Sequence, residues 1–280
     1  MLDIILDTLL DALKLLPFLF LTYLLMEFIE HKMGEKTEKI IHRSGRLGPL
    51  FGSLCGCVPQ CGFSAAASNF YACRVITLGT LISVYLSTSD EMLPIMISER
   101  AGAKLIFAVI GIKIVYGMLI GFAIDLIVRR KNESPRIHEL CEHEKCHCED
   151  NIFIPALRHT GEIILYIVII SLILNTVIYY VGEENIKSII LDKPVLGEVI
   201  SGIVGLIPNC AASVIITELY LEGLLGFGSL MAGLFVGAGV GLLILFKVNR
   251  SIKESFAVLG LLYATGVIGG LIISLLGISL

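Results

Sequence analysis

The sequence predicts an all-α polytopic membrane protein of about ten helical segments, arranged as two inverted repeats of five. Of its 280 residues, 56% are hydrophobic and only 16% are charged, and the mean hydropathy is +0.88. A soluble domain has nearer a quarter of its residues charged. Several apolar runs also reach the roughly 20 residues that a helix needs to cross a bilayer. These runs include residues 9–29, 161–181, 223–247 and 253–277.

An internal repeat is the third observation behind this prediction. An offset of 149 residues aligns the two halves without a gap from residue 48 to residue 121, so that Pro59 falls on Pro208 and Cys61 on Cys210. Proline and cysteine matched in one register are not expected from apolar composition alone. Internal repeats of this kind are typical of secondary transporters.

Each half has the same predicted parts. A first helix precedes an apolar stretch that its proline breaks near the middle, and two more apolar segments follow. In the first half these parts are residues 9–29, 47–73, 75–97 and 104–128, and in the second 161–181, 195–221, 223–247 and 253–277. We therefore predict a first transmembrane repeat at residues 1–128, a linker at 129–155 and a second transmembrane repeat at 156–280.

The distribution of charge predicts the topology. The loop at residues 31–46 and the central stretch at 128–136 are rich in lysine and arginine, which places both in the cytoplasm by the positive-inside rule. The loop at residues 182–194, which corresponds to the first of these, is acidic and is expected outside. Equivalent loops then lie on opposite sides, and the N-terminus lies outside. Each half needs an odd number of crossings, which five short helices satisfy, as do three crossings with a re-entrant hairpin.

Two matching motifs predict broken helices. CGCVPQCG contains Pro59, Gln60 and Cys61, and GLIPNCA contains Pro208, Asn209 and Cys210. Proline removes a backbone donor, and such breaks persist in membranes only against protein or a wet cavity. We therefore expect the two motifs, with Ser64 beside the first, to form one substrate site near the midplane. The alternative is a pair of kinks that serve packing alone.

The segment VITLGTLISVYLSTSDEMLPIMI adds acids at this depth. Asp90 and Glu91 follow Ser87, Thr88 and Ser89 between two apolar stretches. Ionisable residues inside a membrane are costly and indicate function, so these oxygens predict a cation site. The alternative is that the helix ends at Tyr85 and that STSDE is an exposed loop.

Three further polar residues lie in apolar surroundings. Glu218 has Asn69 as its repeat partner, and a site-facing role fits both. Lys113 has no charge within several residues. It either neutralises Asp90 or Glu91 in the empty site, with a role in charge coupling, or extends its ammonium group to the membrane interface.

The linker carries a second cluster of metal-binding side chains. Thiolate and imidazole ligands favour zinc-like or softer cations, and the spacing is not that of a zinc finger, so we expect a labile site that captures or senses cytosolic metal. A solvated linker that happens to be rich in these residues is the alternative. The cluster consists of His138, Cys141, His143, Cys146, His147 and Cys148.

These motifs resemble those of a known family. MEFIEHK, RSGRLGPLFGSLCGCVPQCGFSAAASNFYA, LGTLISVYLSTSDEMLPIMI and GLIPNCAAS are similar to segments of the ten-helix heavy-metal exporters, relatives of the arsenic permeases often labelled arsenic efflux protein or manganese transporter. The resemblance covers nearly the whole chain and implies an exporter of metal or metalloid in the cytoplasmic membrane of a prokaryote. The residues it implicates are Pro59, Gln60, Cys61, Asp90, Glu91, Pro208, Asn209 and Cys210.

The chemistry of the candidate ligands discriminates between arsenicals and manganese as substrates. Arsenite and organoarsenicals need several close thiols, and Cys55, Cys57, Cys61, Cys73 and Cys210 are the candidates. Manganese prefers oxygen ligands, and these are supplied by Asp90, Glu91, Glu218, Asn69, Asn209 and Gln60. We therefore expect a divalent metal, manganese first, with arsenicals as the alternative.

The remaining expectations concern energy source and partners. The sequence has no HExxH motif for an intramembrane metalloenzyme and no GxxxxGK[ST] motif for ATP, so transport is expected to use a gradient, with proton antiport as the default. Apart from the substrate and the lipid bilayer we expect no nucleic acid and no tightly bound cofactor. Faces of small residues such as Gly233 and Gly237 suit packing within one subunit or across a homodimer.

Overall fold

The computed structural model describes residues 8–24 (except 11, 14, 18 and 22), 47–89, 92–128, 153–181 and 196–278. Every regular element in these ranges is a helix. The first, α1, comprises the described residues between 8 and 24. The others are α2 (Gly48–Gly56), α3 (Gly62–Ala72), α4 (Leu78–Ser87), α5 (Met92–Ser98), α6 (Ala103–Ile127), α7 (Phe153–Val181), α8 (Leu196–Gly205), α9 (Cys210–Leu221), α10 (Phe227–Val236), α11 (Val240–Val248) and α12 (Ile252–Leu275).

The prediction of an all-α polytopic membrane protein is confirmed. Within the described residues, four stretches are long and apolar enough to cross a membrane. They are Ala103–Ile127, Ala156–Ile173, Phe227–Val248 and Ile252–Leu275. The outer faces of these helices carry large exposed side chains such as Phe107, Leu126 and Leu275, as expected for surfaces in contact with lipid.

The internal repeat is visible in the helix boundaries and in the packing. The bounds of α4 and α10 differ by the same 149 residues that align the sequences. The close approaches of glycines repeat as well. Gly79 packs against the carbonyl oxygen of Gly121 in the first half, and Gly228 against that of Gly270 in the second. A side chain at these positions would push the central helix away from α6 or α12, so glycine allows the close contact.

The contacts of α2 show that the broken stretch folds as a helical hairpin. Gly48 packs against Thr80 near the start of α4, and Gly56 packs against Val84 and Ser87 near its end. Helix α2 therefore runs parallel to α4, and the C-terminal ends of the two helices lie side by side. Ala72 precedes Leu78 by six residues, which span at most about 20 Å. If α3 continued in the direction of α2, beyond the end of α4, the connection from Ala72 to Leu78 would have to span the lengths of α3 and α4 together, about 31 Å. Helix α3 therefore turns back toward the start of α4.

The second half repeats this hairpin, and its arms could cross the membrane as two short helices or form a re-entrant hairpin, as the sequence left open. Gly197 packs against Ser229 and Gly205 against Gly233, so α8 runs parallel to α10, and Leu221 again lies six residues before the next helix. Each half thus contains a first helix, a helical hairpin, a broken central helix and a long last helix. The inversion of the two halves relative to the membrane stays a prediction.

The central helix of each half is itself broken, which the sequence did not predict. Residues 75–97 and 223–247 were each expected to form one apolar segment, but α4 ends at Ser87 and α10 ends at Val236. The returning arm of each hairpin packs against the helix that follows the break in the opposite half, α3 on α11 and α9 on α5. Helices α1 and α7 pack on α3 and α11 through Leu19, Tyr23 and Ile163.

Candidate functional site

A small cavity lies where the breaks of the two halves meet. It has room for about one water-sized group. The first half contributes the end of α4 and the start of α5, and the second half contributes the tip of its hairpin and the break after α10. The lining residues are Thr88, Ser89, Met92, Gly205, Asn209, Ala212, Ser213, Gly233, Leu234, Gly237 and Gly239.

Thr88 and Ser89, which follow α4, form one wall of the cavity. Ser87, Thr88 and Ser89 are all buried. The hydroxyl groups of Ser87 and Thr88 donate to backbone carbonyls of their own helix, Ser87 Oγ to Ser83 O and Thr88 Oγ1 to Val84 O, both at 2.8 Å. Ser87 lies against Gly56 of α2 and, unlike Thr88 and Ser89, does not line the cavity. The alternative of an exposed loop is wrong for these three residues, while the predicted ligands Asp90 and Glu91 lie outside the described residues.

The tip of the second hairpin forms the opposite wall. Helix α8 ends at Gly205, which packs closely against the backbone of Gly233, and α9 begins after Asn209. The break predicted at Pro208 is therefore present, and the cavity includes Asn209 and Ser213 from this motif. Asn209 and Ser213 thus line the same cavity as Thr88 and Ser89 of the first half.

The break after α10 forms the third wall and brings a charge to it. Gly239 has φ 54° and ψ −140°, a conformation that is open essentially only to glycine. The carbonyl groups at the end of α10 therefore lack some of their helical partners. Lys113 is fully buried, and its Nζ donates to the carbonyl oxygen of Leu234 at 2.6 Å. The alternative in which Lys113 extends to the membrane interface is thus wrong, and the negative end of a helix holds its cation.

The equivalent position in the other half is closed by a tyrosine. The repeat pairs Leu234 with Tyr85 and Met92 with Gly241. The Tyr85 hydroxyl group lies 2.7 Å from Ser68 Oγ and donates to the carbonyl oxygen of Gly241 at 3.2 Å. The buried Tyr85 side chain and its hydrogen bonds therefore occupy the position that Leu234 holds beside the cavity in the other half.

The structure separates the first hairpin motif from this cavity. Gln60 and Cys61 are partly exposed, Pro59 is exposed, and none of the three lines the cavity. Ser64 Oγ donates to the carbonyl oxygen of Cys61 at 2.8 Å. The break predicted at Pro59 is present between α2 and α3, but the two motifs contribute unequally to the cavity. The role of the first motif as a ligand stays a prediction.

The repeat-related pair Asn69 and Glu218 also lies away from the cavity lining. Asn69 is fully buried in α3 and accepts a hydrogen bond from the Tyr23 hydroxyl group at 2.9 Å, which ties α1 to the hairpin. Glu218 is partly exposed on α9. The equivalence of their positions in the repeat does not bring them to one site.

A second set of predicted ligands lies outside the described residues. The linker residues His138, Cys141, His143, Cys146, His147 and Cys148 lie outside the described residues, as does the Cys210 side chain. Within the described ranges, no group of three or more His, Cys, Asp and Glu side chains is close enough to hold one metal ion. Cys55 is exposed and Cys73 is buried.

The sequence reasoning missed the break at Gly237 and Gly239 and the buried contact of Lys113 with Leu234. The glycine pair in VGAGVG was the available signal for the break, since glycines inside a helical pattern often mark unwound backbone. No sequence signal indicated which carbonyl group the lysine would reach. The resulting cavity offers hydroxyl, amide and carbonyl oxygens, which are ligands for hard cations.

Comparison with protein families gives a match over the whole fold. The model of the family described as "Putative, 10TM heavy-metal exporter" matches residues 1–181 and residues 162–278. The five apolar segments of each half, with the two arms of the hairpin counted separately, agree with the number in this description. Comparison with curated proteins and with solved structures found no match. The chain is a multi-pass membrane protein and belongs to this family of ten-segment heavy-metal exporters.

Proposed function

We propose that the protein is a secondary-active exporter of a divalent transition metal, with manganese as the first candidate. The observation that supports this most strongly is the small cavity between the two halves, whose polar lining residues are Thr88, Ser89, Asn209 and Ser213. Its walls are breaks in three apolar elements, and unwound backbone near the centre of such repeats commonly holds the ion in transporters. Manganese binds oxygen ligands in preference to sulfur.

The charges near the cavity support a cation as substrate. Asp90 and Glu91 follow Ser89 directly in the sequence, and Ser89 lines the cavity. Lys113 brings a positive charge to Leu234 on the opposite wall. In this proposal the ammonium group balances the acids while the site is empty, and the arriving metal ion displaces it from them. Proton antiport supplies the energy, because the chain carries no ATP-binding motif.

The test is metal export from bacterial cells that lack their own manganese exporters. Cells expressing the wild type are loaded with manganese, and intracellular metal is followed by elemental analysis. We expect the wild type to lower intracellular manganese and Asp90→Asn to abolish this effect. Collapse of the proton gradient is expected to slow export, and unchanged flux would count against antiport.

The repeat provides a matched pair of variants for the cavity. Asn209→Ala removes an amide that lines the cavity, whereas Gln60→Ala changes the equivalent position of the first hairpin, outside it. We expect the first change to impair export far more than the second. Equal losses would show that both motifs bind the substrate.

Arsenicals are the alternative substrates, and the same cells decide between them. Loading with arsenite should leave intracellular arsenic unchanged by expression of the protein. If only arsenic falls, and Cys61→Ser abolishes the effect while Asp90→Asn does not, thiols form the site and the proposal of a divalent metal is wrong.

A further inference from the structure

A buried carboxyl group outside the cavity has no role in the function proposed above. Glu198 lies in the first turn of α8 and is 3% exposed. Its Oε1 accepts a hydrogen bond from Ser274 Oγ at 2.5 Å. Ser274 is exposed in the last turn of α12, so the carboxyl group lies one side chain below the surface of the described protein.

Two oxygens beside this contact have no partner. Glu198 Oε2 and Ser201 Oγ are both buried without a hydrogen bond among the described residues. They lie three residues apart on α8, which places them on one face of the helix. A buried polar atom without a partner is costly, and native proteins normally satisfy it with a water molecule or an ion. Two such oxygens on one face therefore form a candidate binding site for a small ligand.

The first half shows that this arrangement is not required for packing of the repeat. Pro49 and Gly52 stand at the positions equivalent to Glu198 and Ser201. The first-half acid is Asp125, at the position of Ser274. Its Oδ1 accepts from the backbone N–H of Gly79 at 2.8 Å, and its Oδ2 accepts from Thr77 Oγ1 at 2.6 Å. Both oxygens of that carboxylate are satisfied within its own half.

The charged surroundings of Glu198 are sparse in the described residues. Helix α10, which packs against α8, carries no ionisable side chain. On α12, Tyr263 donates to the carbonyl oxygen of Val199 at 3.2 Å, while Lys253 and Glu254 lie about 30 Å away at the other end of the helix. On and after α9 the ionisable groups are Glu218, Tyr220 and Glu222. No ion pair of Glu198 occurs among these residues, which leaves the carboxyl group suited to a small cation.

Helix α8 connects this carboxyl group to the cavity. The helix ends at Gly205, which lines the cavity, and Gly205 lies about 10 Å along the axis from Glu198. Between them, the carbonyl oxygen of Ser201 lies beside Gly233, another lining residue. A ligand that changes the position of α8 therefore changes a wall of the cavity.

We propose that Glu198 and Ser201 bind the monovalent cation, H⁺ or Na⁺, whose gradient drives the transport cycle. This inference rests on the proposed function, because it assigns the coupling step of that same transporter. A proton would occupy Glu198 Oε2, and a sodium ion would be held by both orphan oxygens. Since the loop before α8 is predicted outside, the cation enters from that side as metal leaves.

The test separates gradient-driven transport from exchange in liposomes that contain the purified protein. Manganese accumulation driven by a pH gradient or a sodium gradient requires the coupling cation, whereas exchange of manganese for manganese does not. We expect Glu198→Gln to lose gradient-driven accumulation and to retain exchange, which also shows that the variant is folded. Asp125→Asn, at the satisfied carboxylate of the first half, is the matched control and should retain both.

The two driving gradients identify the cation. If a pH gradient alone drives the wild type, the ligand is a proton, in agreement with the proposed proton antiport. If a sodium gradient alone does so, the ligand is Na⁺, and sodium replaces the proton in the proposed function. In the second case NaCl should raise the melting temperature of the wild type above that in choline chloride, and Ser201→Ala should lose this shift. Ser201→Ala without a bound ion removes only an unpaired hydroxyl group, so it should not otherwise lower stability.

Each other outcome has a distinct meaning. If Glu198→Gln remains coupled to the gradient that drives the wild type, the inference is wrong while the proposed function stands. If Glu198→Gln and Ser201→Ala both lose exchange together with accumulation, the residues are structural and the inference is again overturned. If the wild type moves no manganese in either assay, the proposed function itself fails.

Discussion

Replacing Arg74 with glycine tests whether an ion pair between the two halves outweighs the backbone strain of its arginine. Arg74 follows α3 with φ 62°, and the repeat places Gly223, with φ 76°, at the equivalent position. The guanidinium group makes two hydrogen bonds of 2.7 Å to the carboxylate of Glu254 at the start of α12. Tyr71 donates to the same carboxylate at 2.5 Å.

The structure allows the backbone strain at Arg74 and the ion pair with Glu254 to be compared as free energies. A left-handed conformation costs a residue with a side chain about 1–2 kcal/mol, and Arg74→Gly removes that cost. The side chains of the pair are 15% and 22% exposed, so solvent screens them little, and loss of the paired hydrogen bonds costs about 2–4 kcal/mol. The free energy lost with the paired hydrogen bonds therefore exceeds the free energy gained by relieving the backbone strain. We therefore expect Arg74→Gly to lower the free energy of unfolding by about 1–2 kcal/mol.

The assay is unfolding of the purified protein in mixed detergent micelles. Gly223→Ala measures the strain separately, because nothing lies within 4 Å of an added Cβ there; it should cost about 1 kcal/mol. A double-mutant cycle of Arg74→Ala with Glu254→Gln measures the coupling of the pair. If Arg74→Gly is as stable as the wild type or more stable, the ion pair contributes less than the strain, and the reasoning is refuted.

Three further predictions concern packing and charge. Gly79→Ala should lower the free energy of unfolding by about 1–3 kcal/mol, because its Cβ would meet the backbone of Gly121. Gly111→Ala, whose Cβ would lie in open space, should be neutral or stabilising. Unfolding in micelles compares the two variants, and equal effects would contradict the packing. Tyr85→Phe should lower unfolding stability by about 1–2 kcal/mol while export continues, and lost export with unchanged stability would assign Tyr85 to transport instead. Lys113→Met should slow manganese export while binding measured by calorimetry persists, because it removes the cation held at Leu234; export at the wild-type rate would exclude charge coupling by this lysine.

The sequence by itself determined the class, the repeat and the helix breaks at Pro59 and Pro208. Each depends on local chemistry: apolar length decides whether a segment suits a membrane, and proline cannot continue a helix ladder. The matched register of the two halves was also a property of the sequence, and the contacts of Gly79 and Gly228 repeat it in three dimensions. The acidic segment after Ser89 was recognised as a candidate because charge is rare in such surroundings.

Only the tertiary structure decided which of these residues meet. The hairpin follows from the packing of Gly48 and Gly56 against α4, because a local sequence pattern does not say whether the chain continues in the same direction after a helix break or turns back. The repeat made the two halves look equivalent, yet Tyr85 closes one position and the cavity occupies the other. Likewise, the carbonyl group that receives Lys113 and the unpaired oxygens at Glu198 depend on neighbours more than 60 residues away. Sequence fixes chemical type and local geometry, whereas long-range packing decides which polar groups are satisfied and which are left to bind a ligand.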